Sequence, residues 1–164
     1  MARFYERIAP LVEARKLGPV LWQLPERFHR DDERLARALA ALPHGRHAFE
    51  FRHPSWFVPE VYRLLASRDA ALVIGDHPRR TFQTEDRTAA WMYVRFHYGR
   101  RGHVGNYAAR ELAAWATTIA TWLRRGDVFA YFNNDWHGYA VRNALDLRRA
   151  LEHGADAMLA PGGH

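Results

Sequence analysis

WMYVRFH, residues 91–97, alternates with a period of two. Met92, Val94 and Phe96 share one face of an extended chain, and Tyr93, Arg95 and His97 share the other. A strand of this kind packs one face against helices and turns arginine and histidine toward something else. The neighbouring runs repeat the pattern. In HAFEFRH (47–53), Phe49 and Phe51 oppose Glu50 and Arg52. In VFAYFNN (128–134), Val128, Ala130 and Phe132 oppose Phe129, Tyr131 and Asn133. In PVLWQLP (19–25), Gln23 lies opposite Trp22 and Leu24. Four strands thus place polar groups on one face, always toward their C-terminal ends.

Helical patterns separate the strands. Phe4, Ile8, Leu11 and Val12 recur at helical spacing in residues 3–16. A second helix is predicted over 31–42, with Asp31 or Asp32 as N-cap and Leu35, Leu39 and Leu42 on one face. Pro59 to Ser67, Ala108 to Arg124 and Tyr139 to His153 complete the set, and AALVIGD (70–76) is a further strand ending in a Gly-Asp turn. The segment 154–164 is small and Gly/Pro-rich, the composition of a mobile tail. Strands alternating with helices imply a parallel sheet, as a doubly wound fold or a TIM-like β/α barrel. No G-x-G-x-x-G or P-loop follows any strand, so no nucleotide cofactor is expected and the doubly wound fold has no fingerprint. Polar residues gathered at strand C-termini suit the mouth of a barrel.

Composition excludes other classes. With no cysteine in 164 residues, disulfides and thiolate metal sites are ruled out. No apolar run approaches the roughly 20 residues of a membrane helix, and the N-terminus lacks the features of a secretory signal, so a cytoplasmic location is expected. The net charge of +6 invites a nucleic-acid reading. However, Lys16 is the only lysine, and the arginines are scattered as pairs such as Arg79/Arg80 and Arg100/Arg101.

The inward set has defined chemical capacities. Glu50 can pair with Arg52 and hold it ready for an anion, Arg95 adds a second guanidinium, and the fork geometry suits phosphate or carboxylate. His97 and His53 could carry protons near neutral pH, with Glu50 or Asp76 to orient them. Asn133 and Asn134 offer amide donors, and Asp135 either caps the following helix or joins the site. Tyr107 either closes the mouth loop or staples the start of the next helix. The alternative for Glu50, Arg52, Arg95 and Asn133 is a satisfied polar network plugging the barrel. His53, Asp76, His97, Asp135 and His137 also sit at strand ends, but no tight ligand motif joins them and no metal is assigned. The tryptophans at 56, 91, 115 and 122 read as packing residues, and His29, His44 and His164 as solvated ones.

VLWQLPERF, AFEFRHPSW, YVRFH with a Gly-containing loop and NYAARELAAWA, and YFNNDWHGYAVRNALDL together resemble the domain of unknown function 72, or YecE-like, family. The likeness spans about Phe4 to Leu151. It implies a TIM-like barrel, and its motif positions fall on Gln23, Pro25, Glu50, Arg52, His53, Trp56, Asp76, Arg95, His97, Tyr107, Asn133, Asn134 and Asn143. Tyr98 stands where the family pattern has a glycine directly after the histidine, with Gly99 following. Full-length relatives begin with a G-[TS]-x-G-W-x-Y strand and further βα units. About five strands are counted here against the eight of a barrel. The expectation is therefore an incomplete barrel, either a fragment of a longer chain or one whose open edges are closed in a homodimer.

The resulting functional expectation is an enzyme, a hydrolase for instance, acting on a small anionic or phosphate-bearing substrate. Its catalytic residues would be Glu50, Arg52, Arg95 and His97. Gln23, His53, Asp76, Tyr107, Asn133, Asn134 and Asp135 would bind the substrate. The alternatives are a nucleic-acid-binding protein gripping a backbone through Arg79, Arg80, Arg100 and Arg101, a metal-dependent phosphodiesterase resembling type IV apurinic endonucleases, and a non-catalytic fragment.

Overall fold

A computed structural model describes residues 2–77, 80–99 and 105–159. Five strands, β1 (Val20–Gln23), β2 (His47–Glu50), β3 (Ala71–Gly75), β4 (Met92–Phe96) and β5 (Val128–Phe132), form one sheet in sequence order. Every adjacent pair is parallel. The helices are α1 (Ala2–Glu13), α2 (Asp32–Ala40), α3 (Pro59–Ala66), α4 (Ala109–Leu123) and α5 (Tyr139–Leu159). The result is an open partial TIM-like barrel, in which β1 and β5 each have a single strand neighbour.

The alternation read from the sequence sorts the two faces. Outward residues of β2 and β3, Phe49 and Leu72, pack with Phe51 and Trp56 against Leu35 and Leu39 of α2 and Val61 and Leu65 of α3. Ile74, Met92, Val94 and Phe96 pack against Leu112, Ala116 and Ile119 of α4 and Leu147 of α5. The inward face is a separate cluster of Ala48, Ala71, Val73, Trp91 and Tyr93, with Leu21 and Phe129 at its margin. This inner layer fills the floor of the barrel, so polar side chains one step further along each strand stand above an apolar base. Asp31 caps α2, accepting from the Arg34 N–H at 2.9 Å.

Two features depart from the sequence pattern. First, α5 runs on to Leu159, into the segment expected to be a tail, because Ala155, Asp156, Ala157, Met158 and Leu159 contain no breaker and a single Gly154 is tolerated in a helix. Secondly, the apolar stripe of α1 is only partly covered. Phe4, Leu11 and Val12 are exposed, and the helix meets the sheet through Phe4 on Trp22 and Tyr5 on His47. The described residues between β3 and β4 contain no helix, and none is read there from the sequence. Among the described residues no helix is long and apolar enough to cross a membrane.

Candidate anion-binding site at the strand ends

Glu50 ends β2 with its side chain only 1% exposed. A carboxylate so buried needs partners, and it has three arginines. Arg52 Nε donates to Glu50 Oε1 at 2.8 Å, Arg95 Nη1 donates to Oε2, and Arg80 Nη1 stands 3.7 Å from Oε1. Gln23, in register with Glu50 on β1, accepts from Arg52 Nη2 at 2.6 Å and from Arg95 Nη1 at 2.9 Å. Asn133 Oδ1 accepts from Arg95 Nε at 3.0 Å, and its own backbone N–H donates to the Phe96 carbonyl at 2.7 Å. Arg80 Nη2 also donates to Glu26 Oε1 at 2.8 Å. Three guanidiniums against two carboxylates leave one positive charge in excess. Beneath them Tyr93 stacks on Tyr131 at 4.9 Å, and burial pushes the Tyr93 phenol up to about 12, so this floor is neutral.

Burial by itself raises the proton affinity of Glu50, but the hydrogen bonds and charges of Arg52 and Arg95 outweigh it and leave the carboxyl below its usual range. His97 behaves in the opposite sense. Desolvation first, then the charge of Arg95, brings its imidazole down to about 4. His97 is therefore neutral near pH 7, a proton acceptor rather than a cation.

Asp76 and Tyr107 form a clamp beside this cluster rather than a part of it. Asp76 Oδ1 accepts the His97 N–H at 2.8 Å, and Oδ2 accepts from the Tyr107 hydroxyl. The Tyr98 N–H donates to that same hydroxyl at 3.0 Å. Burial, followed by the Asp76 charge, raises the Tyr107 phenol and keeps it a donor. The sequence left Tyr107 open between a loop closure and a helix staple, and the geometry is that of the closure. A cavity of about 600 Å³ lies behind the clamp, lined by Gln83, Thr84, Tyr98, Arg110 and Trp115, and neither Glu50 nor its arginines line it.

Asn134, expected to face a ligand, is fully buried. Its Nδ2 donates to the Gly105 carbonyl at 2.7 Å and to Asn143 Oδ1 at 2.8 Å, while Asn143 Nδ2 donates to Asn106 Oδ1 at 3.0 Å. Adjacent residues at a strand end alternate in direction, so Asn133 reaches the arginines and Asn134 secures the loop that returns to α4. Asp135 is exposed and precedes the 3-10 turn Trp136–Gly138 without a side-chain capping bond. His53 caps the turn Pro54–Trp56, its Nδ1 accepting from the Ser55 N–H at 3.2 Å and lying 2.8 Å from Ser55 Oγ. Its ring lies 3.9 Å from that of His29, which is an exposed loop residue, as its sequence position implies. Among the described residues no group of three His, Asp or Glu side chains could hold a metal ion.

Sequence reasoning missed Arg80 as a member of the cluster. It counted Arg80 among loop arginines free to grip a backbone, whereas the side chain is 10% exposed and tied to two glutamates. The only signal was its position four residues beyond Asp76. Arg79, Arg100 and Arg101 lie outside the described residues.

Gly99 supplies the small residue that the loop after β4 requires. A Cβ there would fall 2.4 Å from the Asn106 carbonyl oxygen, so a backbone segment and not a movable side chain forbids it. Gly99→Ala is expected to cost about 2 kcal/mol, in the range for forced overpacking. Urea denaturation tests this, and an unchanged midpoint would mean that the loop yields freely.

The family described as "protein of unknown function DUF72" matches residues 1–163. The chain belongs to the DUF72 family. Its fold is similar to the crystal structure of a DUF72 family protein from Thermotoga maritima, at a TM-score of 0.83 and 28% identity over 92% of this chain and 64% of that one. It is also similar to a DUF72 family protein from Enterococcus faecalis, at a TM-score of 0.80 and 25% identity over 91% of this chain and 64% of that one. This DUF72 chain thus spans just under two thirds of the length of these solved relatives. Among curated proteins none matches it.

Proposed function

We propose that the strand ends of this DUF72 chain form an enzyme site for a small anionic substrate, phosphate-bearing or carboxylate-bearing, held by Arg52, Arg80 and Arg95 with neutral His97 as proton acceptor. The observation that carries the reading is the convergence of three arginines on Glu50, with more positive than negative charge. Arg52 Nη1 and Arg95 Nη2 make no hydrogen bond to the described residues, so each guanidinium keeps donors for a ligand. Glu50 and Gln23 would hold the forks in place before a ligand arrives, which lowers the ordering cost of binding.

Inorganic phosphate is the simplest probe. At matched ionic strength it is expected to raise the thermal midpoint above that in chloride, and Arg80→Ala is expected to weaken this shift. Arg80 is the preferred variant because its contact with Glu50 is the loosest of the three. The absence of any phosphate, sulfate or carboxylate effect on the wild-type protein would remove the proposal.

His97 gives an independent readout. Its imidazole is held near 4 by burial and by Arg95, so a bound anion, which offsets the arginine charge, should move its titration upward. NMR titration with and without phosphate measures this. A His97 that titrates near the ordinary 6.5 in the free protein would contradict the assignment of a desolvated base.

A further inference from the structure

Above the arginine cluster the mouth carries a row of rings. His97, the residue next but one to Arg95, lies 6.2 Å from His77. His77 lies 6.2 Å from Tyr98, and Tyr98 meets Trp136 edge to face at 5.5 Å. The row leads from the cationic cluster to the rim, where Trp136 is 53% exposed. Trp56 and Trp91, by contrast, are almost completely buried and explained by packing. An exposed indole has no such explanation.

The backbone holds Trp136 in that position. His137 has φ 53 and ψ 23, a left-handed conformation that a residue with a Cβ rarely adopts, and Gly138 follows with φ 69. Trp136 also leaves no room at Gly105, where a Cβ would come within 3.1 Å of the indole. Asn134, two residues earlier, binds the Gly105 carbonyl, so the indole and the loop beneath it are fixed together. An outlier of this kind presenting an exposed aromatic side chain, at the end of a row of rings that starts two residues from Arg95, is a feature that binding would use. The edge-to-face contact with Tyr98 positions the indole without covering both of its faces.

We infer that Trp136, positioned by its edge-to-face contact with Tyr98, is a stacking face for a planar aromatic group carried by the anion held at Arg52, Arg80 and Arg95. The ligand class is then a phosphomonoester bearing an aromatic ring system, of which a mononucleotide is the simplest member. This inference rests on the anion reading above and goes further by naming what the anion is attached to.

The test compares adenosine 5′-monophosphate with ribose 5-phosphate by calorimetry. The two share the phosphate and the sugar and differ in the base. The wild-type protein is expected to bind the nucleotide about ten-fold more tightly, the scale of one base stacked on an aromatic side chain. Trp136→Ala is expected to abolish that preference while leaving the affinity for ribose 5-phosphate unchanged, and Trp136→Phe to restore part of it. Equal affinity of the wild-type protein for the two phosphates would overturn the inference and leave the anion site standing. Equal weakening of both by Trp136→Ala would also overturn it, because the indole would then be supporting the loop. Binding of neither compound would refute the anion site itself.

Discussion

Replacing Glu50 by glutamine is expected to destabilise the protein by about 4 kcal/mol, the cost of breaking a buried ion network by removing one partner. The side chain is 1% exposed and meets Arg52, Arg80 and Arg95, so the amide leaves Arg52 and Arg95 with only the neutral acceptors Gln23 and Asn133, and Arg80 with Glu26. For a chain of this size that corresponds to a drop of roughly 10 °C in thermal midpoint. The carboxyl of Glu50 lies below its usual range in the folded state. Its contribution is therefore complete above the unfolded carboxylate value and lost as the pH falls through the depressed one. The difference between wild type and Glu50→Gln should shrink as the pH is taken below about 4. Sulfate or phosphate should also rescue Glu50→Gln more than the wild type, because an anion can take the place of the missing charge. A variant as stable as the wild type at pH 7 would show that the arginines relax into solvent and that Glu50 does not organise them.

The sequence made the inward face legible for a specific reason. In a parallel strand with helices on one side, the apolar residues must face those helices, which fixes the direction of everything between them. Met92, Val94 and Phe96 are buried against α4 and α5, so Arg95 is directed to the other face. The same logic placed Gln23, Glu50, Arg52 and Asn133, and the structure joins all five through hydrogen bonds. Period two carries one or two residues past the strand ends, to Asn133 and Arg52, and then stops being informative. Asn134, Asp76 and Tyr107 lie past strand ends, and their directions are set by the loops they tie down. Arg80 lies in a connection without regular structure, where no periodicity announces which way a side chain turns. Trp136 carries no reading in the sequence, because nothing there distinguishes it from the packing residue Trp56; its exposure does. The breadth of α1's apolar stripe was legible, but its partner surface was not, since hydrophobic spacing says that a face needs covering without saying by what.

The cluster combines a network that resists unfolding with one that leaves binding capacity unspent. Glu50 and Gln23 together accept four hydrogen bonds from Arg52 and Arg95, yet both guanidiniums retain donors that are unpaired among the described residues. A pure structural plug would be expected to satisfy these donors, because buried polar groups without partners are costly. The partial exposure of Arg52 and Arg95, 23% and 13%, is compatible with water or an anion completing them. This is why the stability test on Glu50 and the binding test on Arg80 separate two roles that share the same atoms.

Asp76→Ala is expected to cost about 3 kcal/mol, because it strips the acceptor from two buried donors, each orphaned at about 1–3 kcal/mol. These are the His97 N–H and the Tyr107 hydroxyl. Asp76→Asn keeps one carbonyl oxygen for the His97 N–H and should recover part of the loss. The pH dependence runs opposite to that of Glu50. Burial raises the Asp76 carboxyl, a rise that the bonds from Tyr107 and His97 only partly offset. Its contribution is therefore complete below the unfolded aspartate value and declines as the pH rises through the elevated one. Urea denaturation of wild type, Asp76→Ala, Tyr107→Phe and the double variant closes a cycle. The coupling should fall between 0.5 and about 3 kcal/mol, as for residues sharing one hydrogen bond. Additive losses would mean that Asp76 and Tyr107 support the loop separately. The backbone at His97 and Tyr98 would then be held by something other than the clamp, and so would the first ring of the row that ends at Trp136.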